Sequence, residues 1–124
     1  MNPVSYFEIP VADMDRAIGF YAAVFGYAFE RMSIDGNDMA LFPHDEGDEG
    51  ISGALVKGAS HTPDGAGVRM YFTVSDVAAT LVRAAAAGGR MLHPQVAVGD
   101  IAHIAEIEDS EGNCIALYAP LTAR

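Results

Sequence analysis

The sequence predicts an α+β domain made of two tandem βαβββ modules, and three observations carry that prediction. Residues 6–26 read YFEIPVADMDRAIGFYAAVFG, an alternation with a period of two that runs into an amphipathic helix and stops at glycine. Residues 69–89, RMYFTVSDVAATLVRAAAAGG, repeat the layout: Asp76 follows Asp13 by 63 residues, as Val74 follows Val11 and Gly89 follows Gly26. Each copy is then followed by three short apolar stretches separated by turn residues, the pattern of consecutive strands. A repeat of this length in a 124-residue chain means two copies of one supersecondary unit.

The first module is expected over residues 3–57. Val4 to Val11 is its first strand, with residues 6, 8 and 10 on one face and Phe7, Ile9 and Val11 on the other. Asp13 sits where a carboxylate can accept an orphan amide hydrogen bond at a helix start. Ala17, Phe20, Tyr21 and Val24 form one apolar stripe, and Gly26 can end the helix in a left-handed conformation. YAFERM, residues 27–32, alternates as a second strand, IDGN supplies turn chemistry, and Met39 to Phe42 makes a third. HDEGDE, His44 to Glu49, reads as a solvated acidic loop, since it lacks the ordered ligand spacing of a calcium loop. Ser52 to Lys57 closes the module.

Residues 58–67, GASHTPDGAG, form the linker, because glycine, proline and small polar residues have little to bury. The second module is expected over residues 68–120. Val68 to Val74 is a strand, Val77 to Ala87 a helix, and Gly88 with Gly89 stops it. Met91 to Val96 is a strand broken at Pro94, Ile101 to Ile107 is the next, and DSEGN, residues 109–113, turns into Cys114 to Tyr118.

One domain over residues 1–124 accommodates this layout. No apolar run reaches the roughly 20 residues a membrane helix needs, and the N-terminus has no basic region followed by an apolar stretch, so a cytoplasmic location is expected. A formal net charge of −10, from 17 acidic and 7 basic residues, argues against nucleic acid or an anionic membrane as partner. The single cysteine, Cys114, excludes an intrachain disulfide and a cysteine-only zinc site.

FEIPVADMDRAIGFYAAVFGY near the start, YFTVSDVAATLVRAAAAGG in the middle and EDSEGNCIALY at the end together resemble the vicinal oxygen chelate superfamily. That superfamily includes glyoxalase I, the bleomycin resistance proteins and the extradiol dioxygenases, and the resemblance covers nearly the whole chain. It implies mixed sheets that curl around a cleft, often completed by a second chain, in which small ligands sit. It also implies that metal-dependent members hold a divalent ion on the first and last strands of each module. The matching positions here are Tyr6, five before Val11; Arg69, five before Val74; Ala116, four after the turn glycine; and Ala54 in GALV.

These four residues do not make a metal site. A first-row divalent ion needs imidazole, thiolate or carboxylate donors, and a catalytic site usually has three protein ligands. Alanine has no donor, arginine stays a cation and neutral tyrosine is a poor ligand. The expectation is therefore a metal-free, cofactor-free protein that binds a small organic ligand in the cleft between modules, with a homodimer as its assembly. The alternative is a lyase or other enzyme of the same superfamily, working by metal-free acid–base chemistry or through ligands at other positions.

If Tyr6 faces the cleft, alternation brings Glu8 with it, and the second module adds Arg69, Tyr71 and Thr73. Either Arg69 clamps a ligand anion while Tyr6 and Tyr71 stack or donate hydrogen bonds, or Glu8 and Arg69 satisfy each other at the module interface. Cys114 and Tyr118 share a face with Ala116, and Val56 with Ala54. The alanines leave room for a ligand or permit close packing. Cys114 is a packed thiol unless a base or positive charge activates it. His103 faces either the cleft, as a candidate base, or the helix layer, and a Glu8 raised in pKa by burial would be another candidate base. The aromatic stripe Phe20, Tyr21 and Phe25 reads as core.

Overall fold

A computed structural model describes residue 4, residues 6–45, residue 47 and residues 50–121. Each module is a four-stranded mixed sheet with one helix. The first contains β1 (Tyr6–Pro10), α1 (Met14–Phe25), β2 (Glu30–Ile34), β3 (Asn37–Leu41) and β4 (Ser52–Lys57). The second contains β5 (Met70–Thr73), α2 (Val77–Ala86), β6 (Arg90–Val98), β7 (Ala102–Glu108) and β8 (Cys114–Pro120). Strand order is β1-β4-β3-β2 in one sheet and β5-β8-β7-β6 in the other. In each, the first strand runs parallel to the last and the other pairs are antiparallel. The fold is the α+β duplication that the sequence predicts.

The helices start where local chemistry dictates. Asp13 accepts from the Arg16 N–H at 3.0 Å, and Asp76 accepts from the Ala79 N–H at 3.0 Å, so each first turn has a side-chain acceptor. Gly26 ends α1 at φ 76°. The second module departs from the repeat here: the left-handed residue is Gly88, at φ 100°, one position earlier than the match of Gly26 with Gly89 implies. Gly89 serves close approach instead, since a Cβ there would lie 2.6 Å from the Glu108 carbonyl oxygen and 2.8 Å from the Phe20 ring.

Several strand boundaries also differ from expectation. Tyr27 and Phe29 precede β2 rather than beginning it, because their rings join the core: Tyr27 stacks on Phe25 at 5.2 Å, and Phe29 meets Phe42 at 4.9 Å. Asp35 and Gly36, both at positive φ, form the two-residue loop between Ile34 and Asn37, the geometry that matches hairpin twist. In the second module β5 begins at Met70 rather than Val68. Pro94 does not end β6, which runs through it as an edge strand whose register against β7 shifts on either side of His93; an edge strand with bulges tolerates the missing N–H. Of the acidic stretch, Glu46, Asp48 and Glu49 lie outside the described residues.

The two helices and the inner faces of both sheets share one core. Ile9, Phe20, Tyr21 and Leu55 from the first module pack with Phe72, Ile107, Ile115 and Leu117 from the second. The turn at residues 109–113 fastens the modules. Glu111, with no solvent contact at its side chain, accepts from the backbone N–H groups of Ala12 and Asp13 at 2.8 Å and from the Arg16 guanidinium at 2.7 and 3.0 Å. A carboxylate at the start of α1 also meets the positive end of the helix dipole. Asn113 donates to the Pro10 carbonyl at 2.8 Å. The buried Tyr21 hydroxyl donates to Asp109 at 2.7 Å. Tyr21→Phe is expected to lower unfolding stability by about 2 kcal/mol, as removal of a buried hydrogen bond to a charged group does; urea denaturation monitored by circular dichroism measures it.

Candidate functional site

The faces of the sheets away from the helices carry the candidate site. On β1 that face presents Tyr6, Glu8 and Pro10, paired across the ladder with Ser52, Ala54 and Val56 of β4. On β5 it presents Tyr71 and Thr73, paired with Ala116 and Tyr118 of β8, with Arg69 just before the strand. β1 and β5 are outer strands of separate sheets. They lie side by side: the Phe7 and Phe72 rings meet at 6.4 Å, and both strands line the same two hollows. Of the candidate residues, Tyr71 lines the first of these hollows and Glu8 and Cys114 the second, whereas Tyr6 lines a separate hollow beside Leu41, Phe42 and Ser52, and Arg69 and Tyr118 line neither of the two.

Tyr6 and Glu8 form one polar cluster there. Tyr6 donates to one Glu8 oxygen at 2.9 Å, and His61 Nε2 lies 2.8 Å from the other. The contact to His61 holds the Glu8 carboxyl below its ordinary value, partial burial opposes that, and the Tyr6 hydrogen bond reinforces it. This is opposite to the raised pKa considered above, so Glu8 is a weak base here. Partial burial, together with the hydrogen bond to Glu8 and its charge, raises the Tyr6 phenol to about 12. The linker therefore does more than connect. His61 had no motif to mark it; only its return onto β1, 53 residues from Glu8 in sequence, gives it a place.

A second cluster forms around Arg69, which does not pair with Glu8. It donates to Glu106 at 3.0 Å and lies against the Cys114 sulfur; Cys114 first, then Glu106, favours its charged form. Cys114 is partly buried. The Glu8–Arg69 interface pair, one of the two readings the sequence allows, is replaced by two separate ones, because each charge finds a partner on or beside its own sheet.

Tyr6 and Tyr71 remain 48% and 52% exposed, and Tyr118 is half-buried. Ala54 and Ala116 are fully buried, as is Val56. Ala54 and Val56 pack with Met39, flanked by Met32 and Leu41, so Ala54 serves close packing rather than open volume. His103 shares its face with the core residues Ala105 and Ile107, which points it toward the helix layer and removes it from the site. Among the described residues no three His, Cys, Asp or Glu side chains converge as a metal site would need. The four positions matched by resemblance to metal ligands carry two buried methyl groups, a hydrogen-bonded phenol and a paired guanidinium, a donor set that does not fit a divalent ion.

Comparison with known proteins agrees with this architecture. A model of the bleomycin resistance protein-like N-terminal family matches residues 4–43. A glyoxylase-like domain-containing protein from Didymella fabae is 31% identical over 120 residues, covering 92% of this chain and 91% of that one. Among solved structures, a glyoxalase family protein from Bacillus cereus superposes with a TM-score of 0.78 at 20% identity, covering 98% of this chain and 96% of that one. TnmS3, an antibiotic binding protein from a Streptomyces species, gives 0.72 at 24% identity, covering 97% of each chain. A glyoxalase I variant from Zea mays gives 0.75 at 20% identity; the match covers 94% of this chain but only 46% of the maize chain. Duplicated modules, their shared seam and a relative alike over nearly its full length place this chain in the glyoxalase and bleomycin resistance branch of the vicinal oxygen chelate superfamily.

Proposed function

We propose that this protein binds a small organic ligand between its two modules without a metal ion. The observation that carries the reading is a half-exposed phenol on the first strand of each module, Tyr6 and Tyr71, with no set of metal donors at the positions matched to metal ligands. Exposed aromatic faces flanked by a few polar groups are what ligand sites offer. The antibiotic-binding role of TnmS3, a relative in fold, supports the same reading. Glu8, Arg69, Cys114 and Tyr118 are the remaining candidate contacts, and a homodimer in the cytoplasm is the state in which we expect the protein to act. No helix among the described residues is long and apolar enough to cross a membrane.

Thermal-shift and equilibrium-dialysis screening against small aromatic compounds tests this reading. Hits are expected, and Tyr71→Ala should weaken them about tenfold, in line with the roughly 0.5–1.5 kcal/mol an aromatic pair contributes beyond its buried area. A broad library without a hit would refute it. A second reading rests on the Glu8–His61 contact: a carboxylate that orients an imidazole is half of a general-base arrangement. Turnover of the hemithioacetal of methylglyoxal and glutathione by metal-depleted protein, abolished in His61→Gln, would favour it.

A further inference from the structure

Two hollows lie along the seam, and their linings differ in kind. One, of about 310 Å³, is walled by aromatic rings from both modules, Phe7, Phe42, Phe72 and Tyr71 among them, with Ser52 and Thr73 alongside. The other, of about 230 Å³, is lined by Glu8, Asp64, Thr62, Asn113 and the Cys114 thiol together with apolar side chains; its wall holds no basic side chain, and behind it His61 contacts Glu8 while Arg69, paired with Glu106, lies against Cys114. Met70 lines both. It is half-buried and packs on the shared core, and its unbranched thioether can move aside without breaking a hydrogen bond.

The positions along the strands give a spacing. The aromatic hollow centres near Phe7 on β1 and near Phe72 on β5, and the acidic one near Ile9 and before Met70. The offset is two to three residues, roughly 7–10 Å at about 3.3 Å per residue. That separates a fused ring from an amine on a short alkyl tether. The ring would be enclosed by apolar and aromatic surface, and the ammonium would enter a hollow whose charged wall groups are the Glu8 and Asp64 carboxylates, with the Arg69 charge behind Cys114 already met by Glu106, within a chain of net charge −10.

Building on the binding function above, we propose that the seam takes arylalkylamines, with the ring in the aromatic hollow and the ammonium in the acidic one, and that Met70 is the partition that sets which ligands fit. Its two sides are distinguishable by chemistry alone. A carboxylate on the same tether would face Glu8 and Asp64 without a cation in the wall.

Isothermal titration calorimetry at pH 7 with 4-(1-naphthyl)butylamine and 5-(1-naphthyl)pentanoate, whose four-carbon tethers span the spacing, tests the proposal. The amine is expected to bind at least about tenfold more tightly, as the difference between an attracted and a repelled unit charge allows. Met70→Phe, which fills the passage, should weaken the amine about tenfold. Thr62→Lys, an exposed linker position that places a cation in the acidic hollow, should do the same while improving the carboxylate, and it keeps the test independent of how the seam tolerates a larger ring. Equal binding of both probes, or amine binding unchanged by Thr62→Lys, overturns the proposal. If the amine ignores both substitutions but is lost in Tyr6→Ala, the ligand lies on the open face, so the partition fails while the binding function stands. Failure of both probes overturns the arylalkylamine assignment, whereas the broader function falls only with an empty aromatic screen.

Discussion

Glu111→Ala is expected to remove about 3 kcal/mol of unfolding stability, roughly 10 °C of melting temperature for a domain of this size. The substitution strips the acceptor from two backbone N–H groups at the start of α1 and leaves Arg16 without its partner. The cost is set at the low end for a buried pair because the Arg16 side chain is 54% exposed and water can replace part of what is lost. Burial alone would raise the Glu111 carboxyl; the Arg16 guanidinium, the Asp13 and Ala12 amides and the Ser110 hydroxyl outweigh it and hold it at about 2, against an ordinary 4.5.

The sign of the pH dependence follows from that depression. A carboxyl whose folded pKa lies below its unfolded value contributes fully above pH 4.5 and loses that contribution as pH falls through the interval toward 2. Glu111→Gln keeps the shape and cannot titrate. The stability gap between the native chain and this variant should therefore be widest at neutral pH and close by about pH 2. Chemical denaturation at several pH values measures it, and a gap that stays constant or widens on acidification would show that the turn does not fasten the modules through charge.

Gly53→Ala is the second large effect. A Cβ at this position in β4 would lie 2.1 Å from the Phe7 carbonyl oxygen and 2.8 Å from the Phe7 ring, and Phe7 pairs with Gly53 across the β1–β4 ladder. A backbone oxygen cannot rotate away as a side chain can, so β1 must shift bodily. Such overpacking costs about 3 kcal/mol or more. β1 also carries Tyr6 and Glu8 and borders both hollows, so whatever fraction folds should bind aromatic ligands more weakly. Denaturation midpoints with a ligand titration on the same preparation separate the two effects; a variant as stable as the parent would show that β1 sits farther from β4 than the ladder requires.

What was legible in the sequence was whatever local chemistry determines. Asp13 and Asp76 begin their helices in fact as in pattern, because a cap needs only residues three apart. Ile34 to Asn37 forms its hairpin because Asp35 and Gly36 accept positive φ without outside help. Alternation placed Tyr6 with Glu8 and Tyr71 with Thr73 on common faces. What escaped depends on where distant segments come to rest. Tyr27 and Phe29 carry the period of a strand, yet their rings are drawn into the core. Nothing in SHT announces that His61 folds back on Glu8, and DSEGN reads as a turn whether or not its Glu111 reaches α1. The Glu8–Arg69 pairing failed for the same reason: alternation fixes which face a charge occupies but not which of several neighbours it chooses.

The claim on which the rest depends is that a ligand site between the modules works without a metal. Thermal-shift hits from the aromatic screen, repeated after exhaustive dialysis against EDTA, test it most directly. The account predicts that each hit keeps its shift. Hits that vanish on chelation and return with zinc or nickel would contradict it.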